Sequence, residues 1–303
     1  AGMPGVDLAN AFHTYNRNFK SRRAQIDALV TSLYGNGQPQ ALQALMSVAR
    51  RHHQRTVQEN ANTLVERVAE ERGWTTDELA DRTIPTVGFD DDGVLRLSFG
   101  EREFTGRMTQ SGLIELSNPA GKTIKALPKA TASDDPELAA ESRKQLSSSR
   151  KEIKTLLGIQ TSRLYEAMCA ERDWSAEDWT QYLRNHPVMA RLISRLVWVA
   201  TTGGEAVLFR PTDDGELLSI DDEPIEFPLN ARITLAHAVA VSDQQAAQWQ
   251  QHLTDYEIVP LFDQFSHALP EFGNAQTVFD NLQGHMTDSY SFRGVVTKRG
   301  YQR

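Results

Sequence analysis

Cysteine is all but missing. A lone Cys169 in 303 residues excludes an intrachain disulfide framework and any cysteine-only zinc or iron–sulfur centre, and it fits a reducing compartment. Long hydrophobic runs are missing too. No stretch approaches the ~18 apolar residues of a membrane span, and no basic, apolar, small-residue leader opens the chain, so the expectation is a soluble, cytoplasmic protein with no membrane contact. Nor is there an excess of positive charge: 32 Lys and Arg against 40 Asp and Glu leave −8. That balance argues against the whole chain acting as a basic nucleic-acid clamp and leaves room only for a local basic patch.

The recognisable catalytic and ligand-binding signatures are absent as well. The eight histidines form no HExxH or CxxC…HxxxH spacing, and His52-His53, adjacent on a helix, point about a quarter-turn apart and cannot chelate one ion as an i, i+4 pair would. There is no GxSxG elbow, no SxxK, and no Walker or dinucleotide glycine pattern; Gly203-Gly204-Glu205 precedes a strand and lacks the third glycine. Cys169, between Met168 and Ala170 on an apolar helix turn, reads as a buried, inert thiol. No cofactor, metal or catalytic residue is assigned.

What is there is periodicity. Leu8, Phe12, Tyr15 and Phe19 step at three and four, and Ile26, Leu29, Val30 and Leu33 continue the stripe until Gly35 and Gly37. A second helix carries Ala41, Leu42, Leu45, Val48 and Ala49. A third carries Val57, Ala61, Leu64, Val65 and Val68 and ends near Gly73. Thr75 with Glu78 three residues on is a capping box that restarts a helix, and Pro85 stops it. β-type runs follow at 86–89, 94–99, 103–108 and 113–116, with Asp92-Gly93, Gly100 and Gly112 between them. The alternation of Leu95, Leu97 and Phe99 with Val94, Arg96 and Ser98 gives this meander one face that must pack on something.

The segment 136–173 reads as one long helix, charged and solvated or partner-facing at first, that enters the core near Ile153. Ser175 caps the next helix, which stops at His186-Pro187, and the apolar run 188–199 reads as a buried helix. β-type runs return at 206–210, 216–220, 225–227 and 233–235, and Ser242 caps a short helix to Leu253. A final helix near Thr277 precedes a strand-like stretch, 289–297. The chain stops soon after it, at Arg303, with no closing element, and reads as an excised piece of a longer protein. Arg72-Gly73-Trp74-Thr75 echoes Arg172-Asp173-Trp174-Ser175, and Asp91-Asp92-Gly93 echoes Asp213-Asp214-Gly215, which raises the hypothesis of a duplicated unit. Asp90-Asp91-Asp92-Gly93 resembles the opening of a calcium loop, but Leu95 stands where such a loop needs glycine, so a turn is the better reading. Asp213-Asp214 and Asp221-Asp222-Glu223 read as solvated turns.

Several pieces in series resemble a known family. They are Arg72-Gly73-Trp74-Thr75 through Glu78-Leu79-Ala80-Asp81-Arg82-Thr83-Ile84-Pro85; Trp174-Ser175 with Glu177-Asp178; His186-Pro187 followed by Arg195-Leu196-Val197-Trp198; and Asp255-Tyr256-Glu257-Ile258. From about Arg55 onward the chain resembles the MolR-like bacterial proteins, named as molybdate-metabolism regulators. The resemblance implies a regulatory role and partnership with MoxR-type ATPase systems. No WGR pattern is present, so nucleic-acid binding by that route is not implied. The family supplies no catalytic residues.

The expectation is therefore an α+β protein. A helical, repeat-like segment (1–73) precedes a capped helix with a β-meander (74–133) and a long helix with a second α+β unit (134–303). Trp74, Trp174, Trp179 and Trp198 are expected to anchor helices on sheets. The preferred function is a non-catalytic regulatory or protein-interaction module of a larger bacterial protein. One rival is an enzyme or small-molecule site between the two α+β units, where His186, Arg195, Asp255, Tyr256 and Glu257 would converge. The other is a nucleic-acid surface made by Arg293, Lys298, Arg299 and Tyr301.

Overall fold

The computed structural model describes residues 2–19, 21–266 and 288–290, and these fall into two compact units divided between Pro85 and Thr86. The expected helix near Thr277 lies outside the described residues, as does the stretch 289–297 apart from Ser289 and Tyr290. Among the described residues no helix is long and apolar enough to cross a membrane.

The first unit is helical: α1 (Gly5–Asn18), α2 (Arg23–Asn36), α3 (Pro39–Arg51), α4 (Arg55–Arg72) and α5 (Thr76–Arg82). The stripe read as continuous from Leu8 to Leu33 is cut between Asn18 and Arg23. A single helix over that length would reach about 40 Å, and folding it back brings Phe12, Ile26, Val30 and Leu33 into one core. Proline at the first turn of α3 costs no hydrogen bond. α4 closes on Gly73 in the left-handed region (φ 67°), with the Trp74 amide donating to the Ala69 carbonyl at 2.9 Å. Thr75 then caps α5: the Glu78 amide donates to Thr75 Oγ1 at 3.1 Å, and the Thr75 amide donates to Glu78 Oε2 at 2.7 Å. Leu79 and Ala80 join the same core, so the capped helix belongs with the helices before it. Trp74 packs on this core with the guanidinium groups of Arg72 and Arg82 at 5.3 and 4.8 Å from its ring.

The second unit is α+β, as expected. Its first sheet is the meander β1 (Val94–Ser98), β2 (Glu103–Met108), β3 (Ile114–Ser117) and β4 (Thr123–Ile124), antiparallel and in chain order. Residues 86–89 form no strand: Val87 sits at φ 58°, and Asp90 closes a turn by accepting from the amides of Asp92 and Val94 and from Arg96 Nε. That use of Asp90 supports the turn reading over the calcium loop.

α6 (Pro136–Cys169) runs for 34 residues from an Asp135 cap. Its buried stripe begins at Ala139 and continues through Ser142, Leu146 and Ser149, well before Ile153. The first half reads as solvated because small residues make the contact. Ser142 Oγ donates to the Ser98 carbonyl at 2.7 Å, and Ser149 Oγ donates to the Val87 carbonyl at 2.8 Å, so serines pair the backbone they touch. Cys169, at the last turn, is exposed, because the stripe leaves through Ala167 and Met168.

The second sheet has the order β5 (Trp174–Ser175), β9 (Arg232–Leu235), β6 (Trp198–Thr202), β7 (Glu205–Pro211) and β8 (Leu217–Leu218). The run 188–199 is not one helix: α8 (Met189–Ile193) ends, and Trp198 opens β6, the central strand, covered on both edges. A continuous apolar run bounded by turns fits a fully buried strand as well as a helix. The insertion of β9 between β5 and β6 gives this sheet a strand order unlike the first, so the two sheets do not repeat one topology. Trp179 and Trp198 stand 5.4 Å apart, Trp174 and Trp198 5.6 Å, and Trp179 and Phe209 5.4 Å, all edge-on at the centre of the core. α9 (Asp243–Asp255) carries a second capping box, Ser242 with Gln245. Beyond it, buried Gln264 substitutes for a strand partner, bonding both the amide and the carbonyl of Val197 at 2.9 Å and the Ala236 carbonyl at 2.7 Å.

Candidate functional site

The sequence between β5 and α8 does not form one regular helix. α7 (Ala176–Trp179), capped by Ser175, passes into a π-helical turn at Thr180–Arg184, where the Asn185 amide donates to the Thr180 carbonyl five residues back at 2.9 Å. Such turns carry one residue more than the α-helix can seat and recur at functional sites. Here the turn buries Trp179 and Leu183 and sends Arg184 across to the Gly215 carbonyl, which accepts from Nε at 2.9 Å and Nη2 at 2.6 Å. That bond fixes the hairpin between β7 and β8.

A groove of about 610 Å³ lies along this turn. Leu217 is buried and Ile225 and Phe227 are half-buried among its lining, whereas Glu177, Glu216 and Glu226 are exposed around it. Leu229, also in the lining, is 84% exposed. The Phe227 ring stands 5.9 Å from that of Trp179 and 5.4 Å from that of Phe209, which ties the groove to the aromatic core. The arrangement offers apolar contact beside three carboxylates, with the Arg184 guanidinium also in the lining.

A second cluster links β7 to α9. Arg210 and His252 are both buried, and Arg210 Nε and His252 Nε2 each lack a hydrogen-bond partner. Arg210 Nη1 donates to the Pro211 carbonyl at 3.1 Å, its guanidinium lies 5.6 Å from the Tyr256 ring, and the His252 ring lies 4.7 Å from that ring. Tyr256 donates to Asp222 Oδ2 at 2.6 Å. Burial, then the Arg210 charge, holds His252 below its ordinary pKa, so it is neutral at pH 7.

The expected pocket residues serve separate ends. His186 Nδ1 accepts from the amides of Val188 and Met189, both at 3.2 Å, at the start of α8. Arg195 Nε donates to the Val259 carbonyl at 2.7 Å and Nη1 to the Gln110 carbonyl at 3.3 Å, bracing backbone. Asp255 accepts from Gln251 Nε2 at 2.7 Å, and Glu257 is exposed in the left-handed region (φ 54°). Of the five, Tyr256 alone has a place in the Arg210–His252 cluster. Arg293, Lys298, Arg299 and Tyr301 lie outside the described residues. Among the described residues no three His, Cys, Asp or Glu side chains are grouped to hold a metal ion.

Sequence reasoning missed Arg210, His252 and the groove. Trp249 and His252 on α9 and Tyr256 just past its end, spaced at three and four, were the available signal for the cluster. Asp213 lies in an exposed turn, as expected, and does more there than meet solvent. Asp213 accepts from Gln110 Nε2 at 2.6 Å and Ser194 Oγ at 3.2 Å and pairs with Arg191 at 3.4 Å, so it ties the turn after β2 to the hairpin after β7.

Residues 121–301 match the family model described as a domain of unknown function, DUF4132. The chain belongs to the DUF4132 family. Its DUF4132 region takes in β4, α6, the groove and the Arg210 cluster. The chain is also similar to the "Uncharacterized protein YehI" of Escherichia coli (strain K12), 31% identical over 264 residues. The match covers 86% of this chain and 22% of that protein, so the chain spans less than a quarter of the relative's length. No solved structure matches.

Proposed function

We propose that the chain is a non-catalytic, regulatory protein-interaction module of a larger bacterial protein of the MolR-like kind, and that its partner belongs to a MoxR-type ATPase system. The observation that carries the reading is the groove beside the π-helical turn, with Leu217, Ile225 and Phe227 on its apolar side, three exposed glutamates around it and Leu229 projecting at 84% exposure. Protein interfaces centre on desolvated apolar anchors within a polar rim. A partner segment with an apolar side chain flanked by Lys or Arg fits both features. Two of the expected pocket residues support the same reading: His186 and Arg195 are engaged with backbone.

The test is binding of a purified MoxR-type ATPase to the chain, with Leu229→Asp as the comparison. Leu229 is almost fully exposed, so the substitution leaves the unfolding midpoint unchanged. Loss of an apolar anchor costs about 1–2 kcal/mol, roughly a 5- to 30-fold weaker complex. No complex, or one indifferent to Leu229→Asp, overturns the proposal.

A further inference from the structure

Positive charge is gathered on one surface of a chain whose net charge is −8. Residues 143–154 of α6 hold five Lys and Arg against one carboxylate, Glu152, and residues 122–131 hold three lysines and no carboxylate. Lys144, Lys151 and Lys154 are exposed on the side of α6 away from the Ser142–Ser149 stripe and Arg150 is exposed on its flank, and Lys122, Lys125 and Lys129 are exposed as well. None of these seven has an ion-pair partner among the described residues, which is also true of the exposed Arg17, Arg22 and Arg107, whereas Arg23, Arg55, Arg67 and Arg96 are each paired with a carboxylate.

The two segments are held side by side. Arg143 lies 5.2 Å from the Phe99 ring and donates to the carbonyls of Leu127 and Pro128, which fixes the 122–129 segment against α6. Arg102 adds a bond to the Lys129 carbonyl at 3.5 Å while paired with Asp134. The carboxylates on the same helix are Glu137, Glu141, Glu152 and Glu166, and Glu152 accepts from Ser148 at 2.8 Å.

Three features discriminate among anionic partners. Between residues 139 and 158 no large apolar side chain is exposed, and Leu138, 38% exposed, stands before the first of these cations, so the basic run itself lacks the anchor of a protein interface or a membrane-surface helix. The nearby rings, Phe99 and Phe104, are fully buried, so there is no platform for stacking single-stranded bases. The cations from Lys144 to Lys154 are strung along ~15 Å of helix axis, which suits a repeating line of phosphates. We propose that this face of α6, with the Lys122–Lys129 segment beside it, binds the phosphate backbone of double-stranded nucleic acid without reading its sequence.

The test is fluorescence anisotropy of a labelled DNA duplex of about 24 base pairs titrated with the whole chain over roughly 50 to 200 mM salt. With about five phosphate contacts, affinity falls on the order of 10² to 10³-fold across that range. Substitutions at Lys144, Lys151 and Lys154 to Glu weaken binding at least tenfold. The same three changed to Gln, which keep helix propensity, lower the salt slope by about 3. Should the charge-reversed variant lose its circular dichroism spectrum, the Gln variant decides. Absence of duplex binding at the lowest salt overturns the proposal. So does binding indifferent to the Gln substitutions, and so does capture by phosphatidylserine vesicles or polyglutamate but not by the duplex.

Discussion

Asp134 has a side chain with no exposed surface, and Arg102 reaches it through Nε at 2.8 Å and Nη2 at 2.5 Å while Thr131 adds its amide and hydroxyl. The Arg102 bond, then the Thr131 amide, holds the carboxyl well below the usual carboxylate range. A carboxyl depressed in the fold contributes stability that is present above its unfolded pKa, near 3.9, and lost as pH falls through the folded value. Asp134→Asn therefore lowers the melting temperature at pH 7 and flattens the acid limb, and melting curves from pH 2 to 7 check both. His252 works at milder pH. Because burial keeps it neutral, its contribution is present above the unfolded value of about 6.5 and lost as the pH drops below it. The urea midpoint of the natural chain falls between pH 7.5 and 5.5 (roughly one unit either side of that value), and His252→Gln shows a smaller fall. Thr75→Ala removes one capping bond and costs about 1 kcal/mol, read from the denaturation midpoint.

The α6 stripe shows how an element escapes its own sequence pattern. Alternating Leu95, Leu97 and Phe99 with glycines at the turns made the first sheet legible, because half-burial writes period two into a strand. The caps at Thr75, Ser175 and Ser242 were legible because a hydroxyl at one position with an acceptor or amide three residues on is a local device. The early part of α6 was not, since Ala139, Ser142 and Ser149 make contact by closeness rather than by apolar bulk. Nor was β6, paired on both edges and buried at three successive residues, Trp198, Val199 and Ala200, and so without period. The groove was hidden for another reason: its lining comes from Ala176 to Leu229, segments joined only by the fold. Gly112 exposes the same tight fit from the opposite side. It stands at φ 79°, and a Cβ there would run into the Leu157 side chain of α6. Gly112→Ala combines strain with overpacking and destabilises by about 1–3 kcal/mol, measurable by urea unfolding.

At the scale of the molecule, each unit has its own core. Four of the five tryptophans belong to residues 86–266, so intrinsic fluorescence reports chiefly on the second unit. Trp179→Ala removes the ring shared by Trp198, Phe209 and Phe227, and it lowers the stability read by that signal by about 3–5 kcal/mol. An undiminished midpoint would mean that the aromatic cluster is not the keystone of that unit. The π-helical turn at Thr180–Arg184 adds a constraint of another kind. A turn that seats one surplus residue takes up the extra length locally, so the residues after it keep the phase of an ordinary helix, in which each residue advances about 100°. Deleting the exposed Gln181 would let the Asn185 amide reach the Thr180 carbonyl across an ordinary helical turn, with Leu183 still in the core and Arg184 still on Gly215. At this point the chain tolerates a one-residue shortening that would throw a regular helix out of register.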